Sequence, residues 1–308
     1  MSSSATQYPQ LRRGTIFGVM SYTVWGLAPL FWILLAPAKA FEILSHRVIW
    51  SLLLLIVLVK WQGRFPHVKA AIAHRKTFAL LVVAAVLIAC NWGLFIWATM
   101  NGHVLDTSLG YYVTPLFSVG LGVIFLKESL RSLQWLALAI AFSGVCYITW
   151  EYHRVPWVGL ALSSTFALYG YVKKLAGVDA IESLMVESAL ITPFALVYLA
   201  WLSQQGSNTF LQYGVSHALL LASAGVFTAV PLLLYGAAVV RVPLTSIGFM
   251  QYISSTIQFF LGIWIFHEPM PFSRLIGFLI TWCALAVLTY DGLRNRHGMQ
   301  PQSVVEFD

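Results

Sequence analysis

Two copies of one sequence pattern decide the fold of this chain: TSLG at 107–110 opens a long apolar stretch, and TSIG at 245–248 opens a second one. Each stretch ends on a related octapeptide, LGVIFLKE at 121–128 and LGIWIFHE at 261–268. Because both pairs are separated by nearly the same number of residues, the chain consists of two halves that share one pattern. Two halves that each contain an odd number of membrane spans insert with opposite orientation.

The composition is that of a polytopic membrane protein. Charged residues make up 9% of the 308 residues and hydrophobic residues 59%, and the mean hydropathy is +0.79, whereas a soluble domain is about 25% charged. Because backbone groups in lipid must form their hydrogen bonds within the segment, long apolar runs are predicted to be helices. Such runs are predicted at 14–36, 42–60, 77–99, 105–126, 132–150, 155–173, 180–202, 214–239, 243–266 and 272–291. The predicted fold is an all-α membrane protein with ten transmembrane helices, arranged as two inverted repeats of five helices.

The predicted organisation is an N-terminal tail (1–13), a first five-helix repeat (14–150), a second five-helix repeat (155–291) and a C-terminal tail (292–308). With the N-terminus in the cytoplasm, most of the 18 Lys and Arg residues fall in cytoplasmic segments, which is the distribution that membrane insertion favours. Both termini are therefore predicted to be cytoplasmic. The basic residues that give the net charge of +7 are explained by this topology. A lipid bilayer is therefore the expected environment, and no nucleic acid is expected as a partner.

Neither a metal site nor an enzyme active site is predicted. Cys90, Cys146 and Cys283 fall within predicted spans, and the eight histidines are scattered along the chain. The sequence contains neither the His-Glu-x-x-His nor the Gly-x-Ser-x-Gly pattern of membrane-compatible hydrolases. We expect no cofactor and no catalytic activity. The inverted repeat favours a transporter of a small molecule, with a passive channel or a structural membrane subunit as the alternative.

Charged residues inside the second predicted span are candidates for function, because such residues are costly in lipid. Glu42, His46 and Trp50 recur every four residues and share one helix face, while Arg47 and Ser51 share the neighbouring face. Arg47 could bind a substrate carboxylate, or it could form a buried salt bridge that holds the helix in register. Both interpretations are kept.

The seventh predicted span is the counterpart of the second, and it carries Glu182 and Glu187 where the second carries Glu42 and Arg47. In an inverted repeat, Arg47 is expected nearer the outside and Glu187 nearer the inside. Glu187 could carry a proton, or a lysine at the end of the sixth span, Lys173 or Lys174, could hold it in a structural ion pair.

Hydrogen-bonding groups beside aromatic rings mark three further spans. A pocket for a partly apolar metabolite needs such groups, although an aromatic girdle at the membrane interface would also explain the tyrosines of the fourth span. These residues are Asn91 and Trp92, Tyr111 and Tyr112, and Gln251 and Tyr252.

Several strings together resemble the RarD branch of the EamA family, within the drug/metabolite transporter superfamily. The resemblance extends over about residues 14–291 and implies a ten-helix, inverted-repeat transporter of the bacterial inner membrane that works by alternating access. RarD-type proteins carry labels of chloramphenicol sensitivity or resistance, and relatives in the superfamily export amino acids and other metabolites. The strings are WGLAP (25–29), EILSHRVIW (42–50), NW (91–92) with FIW (95–97), SLGYY (108–112) with Pro115, and GF (248–249) with QY (251–252).

The resemblance also implies which residues line the cavity, since the first, third, fourth, sixth, eighth and ninth spans surround it in such proteins. The second span is then peripheral, which favours the salt-bridge interpretation of Arg47. The substrate, the direction of transport and the energy source, a proton or a counter-substrate, are left open. The implied cavity residues are Trp25, Asn91, Tyr112, Tyr169, Gln251 and Tyr252.

Overall fold

The computed structural model describes residues 3–100, 104–151, 157–210, 212–265, 267 and 272–294. Within these ranges the chain is helical, with a short 3-10 segment at Ile33–Leu35 and short connections between the helices. The helices are α1 (Ser3–Trp32), α2 (Ala40–Trp61), α3 (Phe65–Ala73), α4 (Arg75–Met100), α5 (Val104–Ile124), α6 (Ser132–Glu151), α7 (Trp157–Ala176), α8 (Ala180–Gln204), α9 (Gly214–Val239), α10 (Leu244–Trp264) and α11 (Phe272–Arg294).

Several of these helices have the length and composition needed to cross a membrane. Within the described ranges, five segments are long and apolar enough: Pro9–Leu35, Ala40–Trp61, Arg75–Phe95, Ala180–Gln204 and Gly214–Val239. Shorter apolar helices follow at Val113–Ile124, Ser132–Tyr147 and Leu275–Asp291. The all-α polytopic membrane fold is therefore confirmed, whereas the number of ten transmembrane helices stays a prediction.

Helices of one half pack mainly on helices of the other half. Helix α5 packs on α7 and α10 packs on α1, while α4 packs on α7 and α9 packs on α1. Helices α2 and α8, α5 and α10, and α6 and α11 each contact their own counterpart. When the two halves are exchanged, each of these contacts becomes either itself or another contact of the same set. A repeated sequence favours this pattern.

The seventh residue of each of the two related octapeptides has the same backbone conformation. Lys127 has a φ of 52° and His267 a φ of 50°. A positive φ is uncommon for a residue other than glycine, so the two turns share an unusual local geometry. Glu268, which follows His267, lies outside the described residues.

A close helix contact in the interior joins α2 to α9. A Cβ atom on Gly225 would lie 2.6 Å from the carbonyl carbon of Trp50 and 2.7 Å from the amide nitrogen of Ser51. Glycine therefore permits this approach of the two backbones. The hydroxyl of Ser51 then donates a hydrogen bond to the carbonyl oxygen of Gly225, at 2.8 Å.

Candidate functional site

A cavity lies between the two halves of the molecule. Its walls come from α2 and α4 of the first half and from α7, α8 and α9 of the second. Aliphatic side chains form much of the wall, a few polar and aromatic groups interrupt it, and the enclosed space has room for about one water molecule. The polar and aromatic lining residues are Ser51, Trp92, Tyr169, Glu187, Ser188 and Thr228.

Arg47 lies directly behind this wall. Its Nε donates a hydrogen bond of 2.7 Å to Oγ1 of Thr228, and its guanidinium carbon lies 4.6 Å from the ring centre of Trp32 and 5.0 Å from that of Trp92. Contacts of a guanidinium with aromatic faces are favourable, and more so where water is excluded. Because Thr228 and Trp92 both line the cavity, the positive charge of Arg47 is separated from the cavity by one side chain.

Glu187 belongs to a buried network inside the second half. Its Oε1 accepts hydrogen bonds from Nζ of Lys173 (2.8 Å) and from the hydroxyl of Ser183 (2.6 Å), and its Oε2 accepts one from the hydroxyl of Tyr169 (2.9 Å). Lys173 also donates to Oγ of Ser183 at 2.8 Å. The side chains of Lys173 and Glu187 are 2% and 1% exposed. Of the two lysines predicted as partners of Glu187, Lys173 is the one that pairs with it.

An aromatic cluster joins two of the predicted site residues, Trp25 and Tyr169. Tyr235 stacks on Tyr169 with ring centres 6.0 Å apart, and it lies 5.6 Å from the ring of Trp25. Phe166 packs edge-on against Trp25 at 5.7 Å. Tyr235 was not among the residues predicted from the sequence, although a tyrosine in the otherwise apolar C-terminal part of α9 was a signal that could have found it.

Asn91 and Trp92 are neighbours with different surroundings. The side-chain amide of Asn91 donates to the carbonyl oxygen of Leu162 (2.8 Å) and to Oγ1 of Thr165 (2.9 Å), and so it ties α4 to α7. Trp92 is part of the cavity wall. The structure therefore places the ring of Trp92 in the cavity and the amide donor of Asn91 in a helix contact.

The predicted residues on α5 and α10 lie elsewhere. Tyr252 is buried in a cluster with Val119 of α5, Ala137 of α6 and Ala284 of α11, and these residues do not line the cavity. Gln251 is buried beside Tyr252 and likewise is not among the lining residues. Tyr111 and Tyr112 belong to α5, but their side chains lie outside the described part of the chain.

Glu42 and His46 form a second polar cluster at the start of α2. Oε1 of Glu42 accepts hydrogen bonds from the backbone nitrogen (2.6 Å) and the hydroxyl (3.0 Å) of Thr209, in the loop between α8 and α9. Nε2 of His217 lies 3.1 Å from the same hydroxyl, and His46 stacks on Phe210 at 4.6 Å. Among the described residues, no group of three or more His, Cys, Asp or Glu side chains is placed to hold a metal ion.

Glu182, the counterpart of Glu42, has a cationic partner. Nε of Arg64 lies 2.7 Å from Oε1 of Glu182, and a terminal nitrogen of Arg64 also pairs with Asp179. Arg64 is in the loop that follows α2, just as Thr209 is in the loop that follows α8. Each acid therefore contacts the loop that follows the other half's second span.

Glu128, the last residue of the first octapeptide, holds the start of α10. Its two carboxylate oxygens accept hydrogen bonds from the backbone nitrogens of Leu244 (2.7 Å) and Thr245 (2.9 Å). A carboxylate at this position satisfies free N–H groups and interacts favourably with the helix dipole. The octapeptide was predictable from the sequence as a repeat, but its contact with α10 was not.

Membrane-crossing helices, buried charges and a largely apolar cavity between two halves together define a multi-pass helical membrane protein. The EamA-like transporter family matches residues 12–150. Protein RarD of Streptomyces exfoliatus is 44% identical over 284 residues, which cover 92% of this chain and 90% of that protein. The chain therefore belongs to the EamA family as a RarD-type member, and it is a membrane transporter.

Two further comparisons extend this result. The chloramphenicol-sensitive protein RarD of Pseudomonas aeruginosa is 28% identical over 289 residues, which cover 92% of this chain and 95% of that protein. One crystal structure with 12% sequence identity superposes with a TM-score of 0.67, covering 91% of this chain and 98% of that chain. At this identity, the crystal structure shows a shared fold.

Proposed function

We propose that the protein is a secondary transporter of small metabolites in the bacterial inner membrane, with both termini in the cytoplasm. The observation that carries this proposal is the cavity whose walls come from both halves of the chain. A site between two inverted repeats becomes open to one side and then the other when one repeat moves against its counterpart. Transport is driven by a proton gradient or by a counter-substrate.

The cavity supports two classes of substrate. Arg47 behind the wall favours a carboxylate group, and Trp92 in the wall favours an apolar or aromatic group. Amino acids have both kinds of group. The name of the relative from Pseudomonas aeruginosa adds chloramphenicol as a drug-like test compound.

A ligand screen followed by a flux measurement tests this proposal. Purified protein is heated with each of the common amino acids and with chloramphenicol, since a ligand of the folded state raises the unfolding temperature. Compounds that stabilise the protein are then offered to proteoliposomes with an imposed pH gradient, or to vesicles preloaded with the same compound. We expect accumulation above the external concentration. A passive channel, in contrast, would only equalise the two concentrations.

A matched pair of tryptophan variants links transport to the cavity. Trp92→Leu removes an aromatic wall of the site, and we expect it to weaken apparent affinity about tenfold, or about 1.4 kcal/mol. Trp135→Leu, on the exposed face of α6, is the control and should transport like the parent at equal expression. If the Trp92→Leu protein transports like the parent across a full concentration series, this cavity is not the substrate site.

A further inference from the structure

Glu187 is the acid of the cavity wall. Of the described residues that line the cavity, it is the one with a carboxyl group, and its side chain is 1% exposed. It lies about two turns into α8, whereas Glu42 and Glu182 lie in the first turns of their helices. Ionisable groups at such depth are costly in a membrane, and in transporters they mark ion or proton pathways.

The hydrogen-bond partners of Glu187 are suited to both of its protonation states. In the ionised state, the hydroxyls of Ser183 and Tyr169 donate to the carboxylate. Because a hydroxyl both donates and accepts, a protonated Glu187 can instead donate to the oxygen of Tyr169. Glu182 differs, since its partner Arg64 has donors only and keeps its charge.

Lys173 also keeps partners in both states. Its Nζ donates to Oγ of Ser183 at 2.8 Å and lies 5.2 Å from the ring centre of Tyr169. When Glu187 takes up a proton, the ammonium group loses its carboxylate partner but retains the hydroxyl oxygen and the aromatic face. The network therefore stays in place while the charge of one member changes.

We infer that Glu187 is the proton-binding group of the transport cycle. This inference rests on the transport function proposed above. A proton that enters the cavity binds a carboxylate oxygen of Glu187 and is released from the same oxygen on the other side of the membrane. Lys173 keeps its three protons throughout, so the pair changes from zero net charge to a net charge of +1. A net positive charge in the membrane is unfavourable, and the loaded state therefore favours a substrate that brings a carboxylate or another electron-rich group into the cavity.

Other charged and ionisable groups near the site do not duplicate this behaviour. Arg47 reaches the cavity wall from α2 and stays charged. The hydroxyls of Tyr169, Tyr235 and Tyr22, from α7, α9 and α1, stay neutral below strongly alkaline pH. His46 and His217 lie in the separate cluster with Thr209.

Infrared difference spectroscopy of a pH titration tests the proton site without any substrate. The probe is the proton itself, applied to the full-length protein in lipid nanodiscs. The 11 Asp and Glu residues all contribute to the carbonyl band of protonated carboxylic acids that grows as the pH falls. We expect one component of this band to be missing in Glu187→Gln and to remain in the matched variant Glu182→Gln. A band that is unchanged in Glu187→Gln would overturn the inference and leave a static ion pair.

Flux measurements then test coupling. The compound used is one that the parent accumulates from the panel of amino acids and chloramphenicol. Glu187→Gln should still exchange this compound across the membrane when the pH is equal on both sides. The same variant should lose at least 90% of the accumulation that a pH gradient drives. The double variant Lys173→Gln/Glu187→Gln, which leaves no buried charge unpaired, should show the same loss if the single variant folds poorly. Gradient-driven accumulation at the parent level in either folded variant would refute the proton role. If the parent accumulates no compound at all, the proposed transport fails, while the infrared titration still decides whether Glu187 binds a proton.

Discussion

The first turns of α2 and α8 hold the same acid in two different environments. Glu42 and Glu182 are both buried, at 0% and 1% exposure. Glu182 faces the guanidinium of Arg64, whereas Glu42 accepts its hydrogen bonds from the neutral donors of Thr209. The position of the acid is therefore repeated, but the way in which its charge is stabilised is not.

This difference shows how a membrane protein with a repeated sequence pattern can become asymmetric. An arginine keeps its charge at any physiological pH, so the contact of Glu182 with Arg64 is permanent. The contact of Glu42 with Thr209 is flanked by the rings of His46 and His217 and includes no cation such as Arg64. One end of the repeat is thus held by ions, and the other by hydrogen bonds.

The largest expected effect is in cysteine labelling. This measurement assigns the Glu42 end and the Glu182 end to opposite sides of the membrane. Ser207→Cys, in the exposed loop after α8, should react with an impermeant thiol reagent added to intact cells. Arg75→Cys, at the exposed first residue of α4, should react only after the cells are permeabilised. The parent, with its three native cysteines, provides the background. Labelling of Arg75→Cys from outside would mean that the predicted orientation is wrong.

Breaking the ion pair at the α8 end should have the next largest effect. Arg64→Met leaves the buried carboxylate of Glu182 without its cation, which costs about 3 kcal/mol, the lower end for a buried pair because Arg64 is 25% exposed. Unfolding titrations in detergent measure this free energy. The double variant Arg64→Met/Glu182→Gln should recover at least half of the loss.

A neighbouring arginine provides the control for this ion pair. Arg75→Met removes an exposed charge and should change the free energy of unfolding by no more than about 0.5 kcal/mol. If Arg64→Met changes stability as little as Arg75→Met does, the ion pair contributes nothing and the contrast between the two ends disappears.

Removing one hydroxyl at the α2 end should have the smallest effect. Thr209→Val deletes the group that contacts both Glu42 and His217 but keeps the backbone N–H that donates to Glu42, so the expected loss is about 1 kcal/mol. Thr289→Val, which removes an exposed hydroxyl on α11, should be neutral in the same unfolding titration. A loss for Thr209→Val equal to that for Arg64→Met would show that the two ends are energetically equivalent.

The fold class was predictable from the sequence, because length and hydrophobicity alone require helices in a membrane. The repeat offset also identified Glu182 and Glu187 as the counterparts of Glu42 and Arg47, and the lysines at the end of α7 as partners for Glu187. These predictions depend on spacing along the chain.

The direction of side chains was less predictable. A helix that is apolar on every side has no periodicity to show which face is inside. The sequence therefore placed Tyr252 with the cavity residues, whereas the structure places it against α5, α6 and α11. For the same reason the sequence could not show that Asn91 donates to α7 while the adjacent Trp92 faces the cavity.

Contacts between distant parts of the chain also constrain how the protein is made. Thr209 follows Glu42 by 167 residues, and Leu244 follows Glu128 by 116 residues. A ribosome therefore finishes the first half, and that half enters the bilayer, before the groups that donate hydrogen bonds to these acids have been synthesised. Until then the nascent chain holds carboxylates whose native donors do not yet exist, so it depends on the insertion machinery, or on water at the membrane surface, during this interval. Truncated chains that end after α6 should for this reason be recognised by quality-control proteases as unfinished products.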